Sequence, residues 1–307
     1  MDERVEQVTR GLPPTALQRI ERQRSSGVHS SLFSAPAAAA AQSAGLAAVG
    51  EVFGSLVMNL GWAGSGCNWW STGSLGGPFG TMNTMSSPIT TSGSGGTYSG
   101  FTPYVKAFEA GWYGALQRML AEARALGAEG VIGVKIERKF LDSQIWEFTA
   151  LGTAVRSTDP TLVPRPATAG EVWCTNLSAE DTASAVLSGF VPREIVLGLS
   201  VSTKHEDWQL QQQRTGWVNQ EVEGMTGLIQ AARDEARARV AARATKAAGA
   251  QLVVTYMDLN EFETVCGQDG RDFHAEAGVI GATLVPVPRF RRPETSRVLT
   301  VLPLRKS

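Results

Sequence analysis

Three histidines and three cysteines supply the strongest soft donors in this chain. A zinc-like site would need three or four such donors within about 2.0 to 2.3 Å of one ion. Cys266 and His274 form the nearest pair, separated by a turn-forming Gly267-Gln-Asp-Gly270 stretch that a hairpin could fold back. His205, followed by Glu206 and Asp207, is the other candidate metal residue, although neighbours on a strand point to opposite faces. None has the C-x-x-C or one-turn His spacing that zinc and copper favour.

Other chemistry is thinner still. Glu261 and Glu263, like Glu221 and Glu223, lie two residues apart and read as solvated strand or helix-entry positions. The glycine-rich stretches at 73–77 and 93–96 lack the Lys-Ser/Thr ending of a phosphate loop. With three histidines there are few bases for a nucleophilic triad. The residues therefore predict no catalytic team and no cofactor.

The elements that would position these residues repeat. Residues 45–54 and 189–198 both run from glycine to glycine over nine steps, and residues 125–134 are echoed by 247–256. Self-similarity of this kind predicts a duplicated unit. In each copy a short helix precedes a Val/Ile/Leu-rich strand; Ser178, with Asp181 at the reciprocal position and Gly189 after, marks the second of these helices. Long helices follow, with Leu116, Met119, Leu120 and Ala123 on one face of the first, and Ile229, Ala232, Ala236 and Val240 on one face of the second. Each precedes two strands, near 131–136 and 148–155, then 252–257 and 279–285. The expected unit is α-β-α-β-β, an α+β fold in which a small sheet packs on a long helix.

Gly54 to Gly127 spans 73 residues and Gly198 to Gly249 spans 51, which places an insertion of 22 residues in the first copy. It falls within a Gly-, Ser- and Thr-rich stretch at about 61–103. Trp62, Trp69, Trp70, Phe79, Tyr98 and Phe101 stand in it. Aromatics are costly to leave in water, so this loop is expected to contact another subunit or a protein partner. The expected organisation is an N-terminal segment 1–29, a first domain 30–158, a linker 159–171, a second domain 172–288 and a basic tail 289–307.

A net charge of -1 gives no global pull toward nucleic acid or anionic lipid, and the arginines near 233–243 share their helix with Asp234 and Glu235. The first twenty-five residues lack the apolar core of a signal peptide, and no stretch is long and apolar enough to span a membrane. Cysteines scattered this widely suggest a reducing compartment, so the expected location is the cytoplasm.

Residues 121–136, with Gly127-Ala128 closing a helix before an aliphatic strand, and Gly152-Thr153-Ala154-Val155 in the last strand resemble the YbjQ-like family of heavy-metal-binding domains. The second copy departs, with Thr255 for the strand glycine and Gly281-Ala282-Thr283-Leu284 at the end. The resemblance implies two tandem domains of small α+β fold that assemble into closed homo-oligomeric rings, with pentamers favoured. It implies a bacterial cytoplasmic protein. The expected function is a non-enzymatic, ring-forming scaffold. The alternatives are a metal- or small-ligand-binding protein with a site shared between subunits, and an enzyme whose site forms across that interface.

Overall fold

The computed structural model describes residues 12–26, 30–60, 87–93, 101–142, 144–163, 170–244, 251–266 and 270–287. In chain order these form α1 (Pro14–Ser26), α2 (Ala35–Ser43), β1 (Leu46–Asn59), β2 (Ile89–Thr91), α3 (Thr102–Ala125), β3 (Gly130–Asp142) and β4 (Ile145–Ser157). There follow β5 (Trp173–Cys174), α4 (Ala179–Leu187), β6 (Phe190–His205), α5 (Trp208–Thr215), α6 (Glu223–Ala244), β7 (Gln251–Cys266) and β8 (Gly270–Pro286). The α+β class is as expected.

The order α2-β1-α3-β3-β4 recurs as α4-β6-α6-β7-β8. Local chemistry explains why. Ser34 accepts from the Ala37 N–H and Ser178 from the Asp181 N–H, so each short helix starts on a serine cap. Ser178 also donates to the Asp181 carboxylate at 2.9 Å. Both helices run nine residues and are followed by a glycine in the left-handed region, Gly45 at φ 70° and Gly189 at φ 89°. The second glycine of each pair does something else. A methyl at Gly54 would strike the Ala115 carbonyl of α3, and one at Gly198 the Ala236 carbonyl of α6. Each long helix can therefore lie directly on its strand.

Two four-stranded sheets result, ordered β1-β4-β3-β5 and β2-β6-β8-β7. β1 and β3 flank β4 antiparallel, and β6 and β7 flank β8 in the same way. The short strands cross between halves. Residues 89–91, inside the stretch expected to be an insertion, pair with Ser202, Thr203 and Lys204 of β6. Residues 173–174 pair in parallel with Gly130 and Val131 of β3.

The second sheet packs on more than its own long helix. β6 is buried on both faces because its residues alternate between two helices. Val196 packs with Leu228, Ala232, Ala236 and Val240 of α6. Ile195, Leu197, Leu199 and Val201 join Val105, Phe108 and Met119 of α3 in one core. The first half's long helix thus lies between the two sheets.

Candidate functional site

The junction between the halves holds the charged chemistry. On β8 the alternation puts Asp272, His274 and Glu276 on one face. Glu276, 2 % exposed, accepts from the Tyr104 hydroxyl at 2.5 Å and pairs with Arg138 of β3. The Arg138 guanidinium lies 4.9 Å from the ring centre of Phe108 and 5.8 Å from those of Trp112 and Trp146. A weakly hydrated, planar cation suits such an aromatic cage. Burial, followed by the neighbouring Glu276 charge, raises the Tyr104 pKa well above the ordinary phenol value. Beside this group opens a cleft of about 610 Å³ lined by Trp112, Lys135, Arg138, Asn176, Tyr256 and Asp258 among others. Burial raises the Asp258 carboxyl above its usual range, against the pull of Arg138.

The His274 imidazole is held by the protein on both sides. Its Nδ1 lies 3.0 Å from the Thr203 hydroxyl and its Nε2 2.8 Å from that of Thr264. The rings of Phe101 and Phe262 stand 4.8 Å away, and burial lowers the pKa to about 4. Cys266 shares the β7–β8 hairpin as expected, but it pairs with Gly270 whereas His274 pairs with Phe262. That register separates the two by four residues of strand, about 13 Å. His205 does not join them either: its Nδ1 donates to Asp272 at 2.7 Å, and the following Asp207 caps α5.

These positions do not fit a heavy-metal ion. Among the described residues no group of three or more His, Cys, Asp or Glu side chains converges. Cys174 is buried, its thiol pushed up to about 11 by that burial, so it is a poor source of thiolate.

A second buried cluster ties the stretch at 87–93 to the second half. Lys204 Nζ lies 2.8 Å from the Asp207 carboxylate and 3.2 Å from Ser87 Oγ. A serine beside a lysine invites a nucleophile–base reading. The geometry opposes it: the amine is engaged with a carboxylate, and the Ser87 hydroxyl donates to the His205 carbonyl at 2.6 Å. The cluster is a latch. Neither this latch nor the Arg138–Glu276 pair follows from spacing along the chain, although the alternation Asp272-Phe-His-Ala-Glu276 carries a signal for the β8 face.

Of the aromatics expected to meet a partner, Trp62, Trp69, Trp70, Phe79 and Tyr98 lie outside the described residues. Phe101 is corrected: at 1 % exposure it is core, wedged between α3 and Phe262 of β7. Apolar surface shows elsewhere. No strand pairs with the outer edge of β7 among the described residues, and Val254, Tyr256, Met257 and Val265 are exposed there. Such an edge is a ready template for another chain.

Comparison with known proteins is consistent with this architecture. A protein of Mycobacterium tuberculosis named "Encapsulin nanocompartment protein Rv1762c" is 38% identical over 94 residues, 30% of this chain and 35% of that protein. The chain thus matches about a third of the length of that relative. No solved structure matches. Among the described residues no helix is long and apolar enough to cross a membrane. The family model described as "Putative heavy-metal-binding" matches residues 89–158, which take in β2, α3, β3 and β4. With the Gly-Ala helix end and the Gly-Thr-Ala-Val strand in place, this segment belongs to the YbjQ-like family.

Proposed function

We propose that this chain is a non-enzymatic assembly protein that builds a closed homo-oligomer, each subunit supplying two YbjQ-like units. The observation that carries the reading is the bare apolar edge of β7, where Val254 is 45%, Tyr256 55% and Val265 85% exposed. A solvent-facing edge of this kind is a liability unless something covers it. Similarity to a protein named for a nanocompartment supports self-association as the covering event. The cytoplasm suits such a particle, and a pentameric ring is the arrangement the family resemblance favours.

Native mass spectrometry of the purified full-length chain tests this. The expected result is a discrete multiple of 32.7 kDa. A single 32.7 kDa species at working concentration overturns the reading.

A second reading is supported by the cleft beside Arg138, which has the size and mixed lining of a small-ligand site. It makes the chain a ligand-binding protein whose pocket lies between two YbjQ-like units. Stoichiometric extra mass retained on the native particle would favour it.

A further inference from the structure

The two halves can be compared position by position, because their caps, glycines and strand irregularities coincide. Ser34 matches Ser178 and Gly45 matches Gly189. The β3 register breaks between Ile132 and Lys135, and that of β7 breaks at the matching place, between Val254 and Tyr256. Matched positions should have matched surroundings. At one surface they do not.

In the first half, β3 is covered by the second. The Thr175 N–H donates to the Val131 carbonyl at 2.9 Å, the Val134 N–H to the Thr175 carbonyl at 3.0 Å, and the Gly133 N–H to the Leu177 carbonyl at 3.1 Å. Helix α4 then lies against α2, in a cluster that includes Ala179, Ala183, Val186, Ala37, Ala41 and Ile132. Ile132 and Val134 are 1% and 3% exposed as a result. By the same strand pairing their counterparts are Val253, which is half-buried, and Thr255, which is exposed.

The helices show the same mismatch in complementary form. On α4 the residues Ala179, Thr182, Ala183 and Val186 are buried. On α2 the matching positions, Ala35, Ala38, Ala39 and Gln42, all face solvent. Conversely Ala37, Ala41 and Ala44 are buried, whereas Asp181 and Ser188 of α4 are exposed and Ala185 is half-buried. Between α4 and β7 lies an open groove of about 480 Å³, lined by Leu177, Asp181, Ala185, Val253, Thr255 and Leu284. In the first half the matching place is filled by Trp173 and α4.

From these mismatches we infer that the groove between α4 and β7 receives the N-terminal segment of a second copy of this chain. Residues 31–34 of the incoming copy run along β7 as 175–178 run along β3, and its α2 lies on α4 as α4 lies on α2. The proposal rests on the self-assembly reading and specifies its interface. The contact is heterologous, head to tail, with the open α2 face at one end of the subunit and the open β7–α4 groove at the other. Repetition closes a ring if the rotation per subunit permits, and otherwise extends a filament.

Two variants at exposed positions separate this arrangement from others. Ala39→Arg spoils the α2 face and leaves the groove intact; Thr255→Asp, at a position that lines the groove, spoils the groove edge and leaves α2 intact. Each alone is expected to lose every species above the monomer in native mass spectrometry, with circular dichroism unchanged. Mixed one to one, they should form a dimer and nothing larger, since one good face remains on each. A face-to-face, isologous interface would give no dimer on mixing, and that result overturns the proposal. So does either variant keeping the wild-type size, which leaves self-assembly standing but places it elsewhere. A truncation after Val287 should still assemble; if it alone dissociates, the tail at 288–307 is the occupant and the proposal fails. A wild-type monomer would instead remove the self-assembly reading itself.

Discussion

His274 shows how a residue selected for one chemistry can serve another. Its two ring nitrogens are taken by threonine hydroxyls and its faces by phenylalanines, so it is a neutral polar link between β6, β7 and β8. That neutrality has a pH signature. The imidazole pKa falls from 6.5 to about 4 on burial, with Asp272 opposing the shift. The unfolded chain therefore binds the proton first as pH drops. Stability from this group is complete above about 6.5 and is lost as pH falls toward 4, by about 2 kcal/mol between pH 7 and pH 5. Urea unfolding midpoints at the two pH values should show this loss in the wild type, and His274→Gln should reduce it. An equal drop in both proteins would assign the acid sensitivity to another group.

At the scale of elements, the paired glycines are the most legible feature of the chain. Their nine-residue spacing announced a repeat, and the structure supplies the reason for each member. Gly45 and Gly189 release the chain from a short helix at positive φ, and Gly54 and Gly198 let a long helix touch a strand. Because the obstacle at Gly198 is the Ala236 carbonyl, backbone must move to admit a methyl group. Gly198→Ala is expected to cost about 1 to 3 kcal/mol as overpacking, measurable as a lowered denaturation midpoint. Gly133 makes a control: it has positive φ but no atom within 4 Å of the place an added methyl would occupy, so Gly133→Ala should suffer from backbone strain alone. The long helices and main strands were visible from periodicity, and α2 and α4 from composition and caps, whereas α1 and α5 stand outside the expected repeat unit. Ser178 caps α4 through the Asp181 N–H, while the Asp181 carboxylate accepts from the Ser178 hydroxyl rather than from its backbone N–H. The two-residue and three-residue strands β5 and β2 carry too few residues for any periodicity, and their partners lie in the opposite half.

The whole molecule is less divisible than a repeat suggests. Ile195, Leu197, Leu199 and Val201 share a core with α3, Arg243 of α6 binds Glu109 of α3 at 2.7 Å, and β2 completes the second sheet. Residues 172–287 produced alone would expose that apolar face of β6. They should be poorly soluble or unfolded, whereas a soluble, cooperatively melting fragment would show that the shared core is dispensable. The sequence by itself determined the order of elements within each repeat unit, the serine cap of α4, the class of fold and the family segment, because these depend on local propensity and on spacing along the chain. Tertiary structure decided what lies across the junction: that Phe101 is core, that Cys266 and His274 stand apart, that Arg138 meets Glu276, and that β7 remains an open edge. Those facts depend on register between strands and on which face of a helix meets which sheet, and contacts between residues far apart in the chain leave no periodic trace in either partner.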